Sequence, residues 1–321
     1  MSRISWIMLA AGLLSAPAAI SQPLQGIAFS FGGVNISGYA DLSYFDDGIE
    51  SGGFGRADLD IEFMPRNTAN GVALGFSLGF DGAKQFDGGF INQGVFYPAL
   101  VLGFGEHRIS VGAPRSVANR GYYPETMFSN NARFDLVLGG LRDSMLSYVS
   151  LIGDYHPYGI RYDGTFGQTK VGLSAHRIDE SGITADSFAL AVSHSYHSNG
   201  PLPELTIYGG IERFDTTGPR LNKYTLGVEA ESDKLQFGLQ LGKSEVLADT
   251  NTVEVYGKYR FYTSLSVSAS MLHASFAGPD LTVYGIGAEY IFLNNAYLGA
   301  SIADGNRGFD TQYAVSIGWR F

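Results

Sequence analysis

Alternation with a period of two residues runs through almost the whole chain and limits its fold to one built from extended strands. Between residues 56 and 63, four apolar residues fall on one face of such a strand and four charged residues fall on the other. The stretches "VALGFSLGF" (72–80), "LQFGLQLG" (235–242) and "YAVSIGWRF" (313–321) repeat the pattern. Because four charges on one face need water, the sheet is predicted to have one apolar side and one wetted side.

Turn-forming residues divide the chain into sixteen candidate strands. A closed antiparallel barrel with both chain ends on one side needs an even number of strands. A strand of about 11 residues, at roughly 3.3 Å per residue and tilted near 40°, spans about 25–30 Å, which matches the apolar band of an outer membrane. We therefore predict an all-β fold, a transmembrane antiparallel β-barrel of about 16 strands. The predicted strands are 34–45, 54–64, 71–81, 91–104, 107–113, 156–165, 168–178, 185–197, 203–214, 221–231, 234–245, 251–262, 264–274, 280–292, 295–303 and 311–321.

The composition agrees with this fold class and excludes several functions. The chain has 43 Gly, 22 Phe and 19 Tyr, which favours strands joined by tight turns. It has no Cys, so disulfides, thiolate metal sites and cysteine nucleophiles are excluded. The formal net charge of −10 argues against a nucleic-acid partner, because neutralising phosphates needs an excess of Lys and Arg.

The N-terminus has the three parts of an export signal. Arg3 supplies the positive start, residues 6–14 form an apolar run, and small residues follow up to Ser21. We predict a cleaved signal peptide over 1–21 and a single barrel domain over 22–321. No later stretch is long and apolar enough to predict a transmembrane helix.

The connection 114–154, after the fifth predicted strand, is much longer than the others. A structureless loop of this length is either functional or a sign of missing elements. Its segments "RFDLVLGG" (133–140) and "SMLSYVSLI" (144–152) leave open two further strands, which would give eighteen. The other interpretation is a loop that folds inward and shelters its apolar residues inside the barrel.

The fourth predicted strand differs from the rest because it is apolar on both faces. Its segment "GVFYPALVLGF" (94–104) also contains Pro98, which cannot donate a hydrogen bond to a neighbouring strand. We expect both faces to be buried, one of them against a neighbouring subunit.

Two arginines are predicted to point into the barrel. Arg56 and Arg161 share their strand faces with Asp58 and Asp163, and a charge on the lipid side would cost about 2–4 kcal/mol near the midplane. Charges in a water-filled channel bias ion selectivity. The excess of 31 acidic over 21 basic residues favours a moderate cation preference. A solvated side chain with little influence on conductance is the alternative interpretation for each arginine.

No pattern in the sequence predicts catalysis, so we expect that the protein is not an enzyme. His194 and Ser195 fall on opposite faces of a strand and cannot form the local part of a hydrolase triad, while His176 points inward as a polar lumen group. We predict no cofactor and no metal site. The one exception left open is Ca²⁺ at the acidic outer loops such as Asp46–Asp47, where a solvated turn is the simpler interpretation.

Five segments, in this order, carry a resemblance to a known family: "VNISGYADLSYF" (34–45), "GRADLDIEF" (55–63), "ISVGAPRS" (109–116), "GIRYDG" (159–164) and "GWRF" (318–321). With the export signal, they make the chain resemble the general diffusion porins of Gram-negative outer membranes, the trimeric sixteen-stranded type known from alphaproteobacteria. The resemblance implies an outer-membrane homotrimer, in contact with lipid and lipopolysaccharide, that lets ions and small hydrophilic solutes diffuse passively. It also implies that the final Phe is recognised during barrel assembly.

In that family the third outer loop folds inward and narrows the pore, with basic residues on the wall facing acidic residues on the loop. The family's basic residue on the fourth strand has no counterpart here, because neither Gln93 nor Val95 is charged. The constriction residues implied by the resemblance are Arg56, Arg161 and Arg115 on the basic side, and Glu125, Asp135 and Asp143 on the acidic side.

Two other functions stay open. A solute-selective channel for sugars or amino acids, with eighteen strands, would line its pore with a row of aromatic residues, whereas the inward tyrosines Tyr39, Tyr208 and Tyr256 lie on strands 1, 9 and 12. A non-conducting structural barrel would have long outer loops, and those predicted here are short apart from 114–154.

Overall fold

The computed structural model describes residues 29–321 except 32, 66–70, 87–91, 120, 124–127, 143, 181, 197–202, 217, 219, 246–248, 277, 293–294 and 307–308. Sixteen antiparallel strands form one sheet that closes on itself into a barrel. The strands are β1 (Val34–Asp46), β2 (Ser51–Phe63), β3 (Val72–Gln85), β4 (Asn92–Phe104), β5 (His107–Gly112), β6 (Tyr158–Phe166), β7 (Thr169–Glu180), β8 (Ile183–Tyr196), β9 (Glu204–Thr216), β10 (Arg220–Glu231), β11 (Leu235–Ser244), β12 (Thr250–Tyr262), β13 (Leu265–Ser275), β14 (Leu281–Phe292), β15 (Ala296–Gly305) and β16 (Gln312–Arg320).

The prediction of sixteen strands is confirmed, and each predicted boundary lies within four residues of the observed one. A short additional strand, Phe29–Phe31, pairs with the start of β1. β5 has only six residues because the chain leaves the wall at Gly112. Gly112 has a φ of +130°, and a Cβ there would lie 2.8 Å from the carbonyl oxygen of Pro98, so only glycine fits this exit.

The last strand closes the barrel against the first. β16 and β1 pair from Tyr313 opposite Asp46 to Arg320 opposite Tyr39. One step further, the backbone N–H of Phe321 donates to the carbonyl oxygen of Gly38 at 2.8 Å, and the N–H of Gly38 donates back at 3.3 Å. The final residue of the chain therefore takes part in the closure.

The outer surface of the barrel is apolar, as the alternation predicts. On β16 the side chains of Tyr313, Val315 and Ile317 are more than half exposed, while the residues between them are turned inward and mostly buried. Large apolar residues are exposed in the same way along the other strands, for example Leu74, Leu100 and Leu226. Within the described part of the chain, no helix has both the length and the apolar character to cross a membrane.

The start of β1 and the end of β16 lie at the same end of the barrel, which we call the terminal end. The turns there are tight, for example at 105–106, 167–168 and 263–264. At the opposite end, which we call the insert end, most connections are also short, and β7 and β8 are joined by residues 181–182 alone. The exception is the segment between β5 and β6, residues 113–157, which we call the insert.

The insert is helical where the alternative prediction had two extra strands. It contains a 3₁₀ turn (Phe128–Asn130), helix α1 (Ala132–Arg142) and helix α2 (Met145–Gly153). The side chain of Asn131 accepts a hydrogen bond from the N–H of Phe134 at the start of α1, and Ser144 caps α2 in the same way. α2 ends at Asp154, which adopts the left-handed conformation. The eighteen-strand alternative is therefore wrong.

The hydrophobic core lies inside the barrel, between the insert and the wall. α1 and α2 contact three sectors of the wall near the insert end. Val117, Ala118, Tyr122 and Tyr123 contact a fourth sector at mid-height. Wall and insert residues of the four clusters include Phe45, Phe54, Val95, Leu136 and Leu151 in the first, Leu138, Leu141, Leu272 and Val283 in the second, Val117, Tyr122 and Ala191 in the third, and Met145, Leu146, Ile178 and Phe214 in the fourth.

This packing explains why β4 is apolar on both faces. Val95 and Tyr97 point inward and are buried in the first cluster, whereas Phe96 and Leu100 point outward and are exposed. The inner face of β4 is thus covered by the insert of the same chain. The expected subunit neighbour concerns only the outer face.

Candidate functional site: the barrel lumen

The barrel encloses a cavity of about 520 Å³ that occupies the terminal half of the lumen. Its walls come mainly from the terminal halves of β1, β10–β14 and β16, and Arg56, Asp81 and Glu254 reach it from higher on β2, β3 and β12. The insert forms its roof through residues such as Leu136, Tyr148 and Leu151. Polar side chains line much of it, including Gln236, Gln240, Ser264, Ser266, Ser268 and Ser270. The cavity is therefore a wetted space closed on one side by the helices.

Two of the predicted basic residues lie in a dense ion network between β2, β3 and the insert. Arg56 is buried and pairs with Asp81, and its guanidinium also donates to the carbonyl oxygen of Gly82 at 3.2 Å. Arg115 is 5% exposed, and it pairs with Asp58 and Asp60, both at 2.8 Å. The structure places these two arginines in one network, and their partners are wall aspartates, whereas the resemblance implied acidic residues of the loop.

The side chain of Arg115 fits against the wall strands β3 and β4. Its guanidinium lies 4.8 Å from the centre of the Tyr97 ring and donates to the carbonyl oxygen of Phe80 at 2.8 Å. A Cβ at Gly79 would lie 2.7 Å from the Nε atom of Arg115. The glycine at position 79 thus gives the arginine room, although nothing in its local sequence singles it out.

Arg161 lies on β6 and pairs with Asp163 on the same strand. Its Nε and Nη2 atoms are 2.9 and 2.7 Å from the two carboxylate oxygens. The phenol of Tyr122, from the insert, donates to the same carboxylate at 2.9 Å. Burial and the negative charge of Asp163 raise the pKa of the Tyr122 phenol further above its ordinary value, which by itself keeps the group a donor at neutral pH. Both arginine and carboxylate are therefore committed to holding the start of the insert.

Of the three predicted acidic residues, only Asp135 can be placed. It lies on α1 and pairs with Arg142 at the other end of that helix, and it accepts a hydrogen bond from the N–H of Phe128 at 3.0 Å. Arg142 also pairs with Glu254 on β12, at 2.8 Å. Glu125 and Asp143 lie outside the described residues. Whether any of these residues controls conductance stays a prediction.

Glu212 on β9 fixes the start of α2 and was not predicted from the sequence. Its carboxylate accepts hydrogen bonds from the Ser144 hydroxyl at 2.7 Å and from the N–H groups of Met145 at 2.6 Å and Leu146 at 3.1 Å. A negative charge at a helix N-terminus is favourable, because the first N–H groups have no partner within the helix. Glu212 is only 2% exposed, so these bonds anchor the insert to the wall.

A second group of basic residues lines the cavity near the terminal end and was also missed. Lys258 and Arg320 both pair with Glu289, Lys258 at 3.3 Å, and Arg260 pairs with Glu231 at 3.0 Å. The signal was present in the alternation, because each basic residue falls on the inward face of β12 or β16. The family resemblance implied instead the basic residues Arg56 on β2 and Arg161 on β6.

The remaining polar candidates have structural partners. His176 is buried, as predicted for an inward group, and its Nε2 atom lies 2.8 Å from the carbonyl oxygen of Pro114. In the first loop, the side chain of Asp46 accepts a hydrogen bond from Gly48, and that of Asp47 accepts two, from Ile49 and Glu50. Among the described residues, no group of three metal-ligating side chains comes together. Ca²⁺ at Asp46–Asp47 stays a prediction.

Comparison with known proteins gives matches in structure only. No protein-family model matches the chain, and no curated protein matches it in sequence. An engineered variant of the Rhodopseudomonas blastica porin is 19% identical and has a TM-score of 0.58. A second variant of that porin, and a structure from work on the asymmetric conductivity of engineered proteins, are each 20% identical with a TM-score of 0.58. All three alignments cover 90% of this chain and 100% of the other.

The fold is that of a sixteen-stranded porin. The match over nine tenths of the chain, together with the closed barrel, decides the architecture. The porin fold also fits the predicted inward loop, because the helices of the insert lie between the fifth and sixth strands of the barrel. At a sequence identity of 19–20%, the similarity establishes the fold alone.

Proposed function

We propose that the protein is an outer-membrane porin, a channel through which ions and small hydrophilic solutes diffuse passively. The observation that carries this proposal is a closed barrel that is apolar outside and holds a polar cavity inside, roofed by a segment of its own chain. In this proposal the terminal end faces the periplasm and the insert end faces the outside. The chain reaches the outer membrane with a cleaved signal peptide and assembles there as a homotrimer among lipids and lipopolysaccharide.

A moderate cation preference is part of the proposal. The net charge of −10 supports it, and the cavity itself supports only a weak preference. Six of the charged residues that line the cavity are acidic and five are basic, so the fixed charge around a passing ion is close to balanced. Lys258, Arg260 and Arg320 are each paired with a glutamate, which reduces their pull on anions.

Single-channel recording in a planar bilayer tests the function. The purified protein, with its folded state checked by gel mobility before and after heating, is added under a salt gradient. Discrete conductance steps with a reversal potential on the cation side are expected, and steps in groups of three would support the trimer. A preparation of folded barrels without any steps would contradict the channel function, and detergent alone serves as the control.

A solute-selective channel is the second candidate, and the cavity is the observation that favours it. Its volume of about 520 Å³ lies in the range of small-molecule sites, about 300–1,000 Å³. Tyr39, Tyr148, Tyr256 and Tyr262 line it together with several amides and hydroxyls. Block of the conductance by one sugar or amino acid, at concentrations where others have no effect, would favour this candidate.

A further inference from the structure

The wall that surrounds the insert is not uniform around the barrel. On β1–β4, β7–β9 and β13–β16, the inward residues near the insert end include apolar side chains of the clusters that hold α1 and α2. These side chains are large on β1, β2, β4, β7, β9, β13 and β14, and they are alanines on β3, β8, β15 and β16. On β10–β12 the corresponding positions are polar apart from Leu221, at the very end of β10. We call these residues the polar seam: Lys223, Thr225, Ser244, Thr250, Thr252 and Glu254.

Across the polar seam, the insert is held by ion pairs and hydrogen bonds. Arg142, at the end of α1, donates to Glu254 at 2.8 Å. The other carboxylate oxygen of Glu254 is buried and has no hydrogen-bond partner among the described residues, which marks a place for water or a solute group. Next to the seam, Glu212 holds the start of α2.

The polar seam continues the cavity toward the insert end. Glu254 lines the cavity directly. A second, narrow gap shares Ala118 and Tyr123 with the cavity and is lined by Gly210, Glu212, Lys223 and Thr225. Polar side chains of β9, β10 and β12 therefore continue from the open half of the lumen toward the insert end, and in this structure the gap beside β9 and β10 is too narrow to hold a water molecule.

Moving the insert away from the wall has a different free-energy cost in the apolar sectors and at the polar seam. When the insert moves away from an apolar sector, buried hydrocarbon enters water, and nothing replaces the lost burial. When it moves away from the polar seam, water takes over the hydrogen bonds, so the net change is smaller. The insert should therefore part from the wall most readily at β10–β12.

We propose that the solute path through the insert half of the barrel runs along the polar seam, and that Glu212, Lys223, Glu254 and Arg142 are the charged residues that a solute passes. This inference rests on the proposed channel function. It places the path eight strands away from Arg56 on β2, on the opposite side of a sixteen-stranded barrel. Arg115 ties the base of the insert to Asp58 and Asp60 of the wall, whereas Arg56 pairs with Asp81 within the wall, and the selectivity of the insert half comes from the seam.

Engineered cysteines test this path, because the natural chain has no Cys. Thr252→Cys lies on the seam, and Ala303→Cys is its matched control in an apolar sector. Both positions point inward, lie two residues from the insert end of their strands, and are nearly buried, at 7% and 1% exposure. Ser244→Cys and Ala274→Cys form a second matched pair in case one variant fails to fold.

The folded variants are treated with a cationic, membrane-impermeant methanethiosulfonate, and the labelling rate is followed by mass spectrometry. We expect Thr252→Cys to react about tenfold faster than Ala303→Cys, as a difference of about 1.4 kcal/mol in opening free energy would give. Conductance of Thr252→Cys should fall on modification, and that of Ala303→Cys should not.

Two outcomes would overturn the proposal and can be told apart. If the natural protein conducts but the apolar-sector cysteines react as fast as the seam cysteines, the path is wrong and the channel function stands. If the folded natural protein does not conduct, the channel function fails, and the solute path fails with it.

Discussion

The two halves of the lumen are enclosed by the same strands but are filled in opposite ways. In the terminal half the inward residues are mainly Ser, Gln, Tyr and charged groups around an open cavity. In the insert half they include Phe45, Phe54, Leu272 and Phe214, which are buried against the helices. The inward residues of the wall therefore match what they face. They are polar where they surround the open cavity and apolar where they pack against the insert.

The two halves should differ most in how much stability the protein loses when a side chain is removed, and the loss should be largest for a large side chain of the insert core. Phe134→Ala is expected to destabilise the barrel by about 3–5 kcal/mol, because Phe134 is 3% exposed and packs against Phe128 and Phe309. Ser268→Ala in the cavity is the control and should change stability by less than about 1 kcal/mol. Denaturant unfolding monitored by Trp fluorescence measures both. Equal effects would show that the insert half is not a packed core.

The anchor at Glu212 should have the next largest effect. Glu212→Ala leaves the Ser144 hydroxyl and two backbone N–H groups at the start of α2 without their acceptor, at a cost of about 2–3 kcal/mol. Glu212→Gln keeps one acceptor oxygen and should lose less. The same unfolding measurement ranks the two variants. If they lose equal stability, the hydrogen bonds to α2 are not the source of the effect.

The cap of α1 should contribute less than the anchor of α2. Asn131→Ala removes the acceptor for the N–H of Phe134 and a hydrogen bond to Gln312 on β16, so a loss of about 1–2 kcal/mol is expected. Asn131→Asp keeps the acceptor and should recover part of that loss. A loss below measurement error for Asn131→Ala would mean that the helix is fixed by its apolar contacts alone.

Neutralising the basic group in the terminal half should affect selectivity and leave stability nearly unchanged. Lys258→Gln removes a positive charge from the cavity wall beside Glu289, so the reversal potential under a salt gradient should shift by a few millivolts toward cations. Arg213→Gln is the control, because Arg213 pairs with Asp215 on the outer face of β9. A shift of the same size in the control would exclude a local effect in the lumen.

The sequence was sufficient to predict the barrel wall but not its contents. Strand alternation depends on local residue order, and it placed all sixteen strands. The helices of the insert were missed because short apolar runs such as 144–152 have no period that separates a strand from a buried helix. The caps at Asn131 and Ser144 were the signal that could have decided the question.

The candidate site was predicted in part. Arg56 and Arg161 point inward as expected, yet the carboxylates that pair with Arg56, Arg115 and Arg161 come from the wall strands β2, β3 and β6. Glu212 and Glu254 could not be singled out, because their importance depends on the ends of α1 and α2, which lie about 70–110 residues away in sequence. Contacts of that range are a property of the fold and leave no local pattern.

The closure between Gly38 and Phe321 sets the order of events in folding. The two residues that exchange backbone hydrogen bonds are separated by almost the full length of the described chain. Contacts so distant in sequence are slow to form, so the pairing of β16 with β1 is expected late in folding. Until then β1 and β16 are open edges with unpaired backbone groups, which readily pair with other strands. Pairing of β16 with β1 satisfies these backbone groups, so the chain is most exposed to wrong strand pairing before that step.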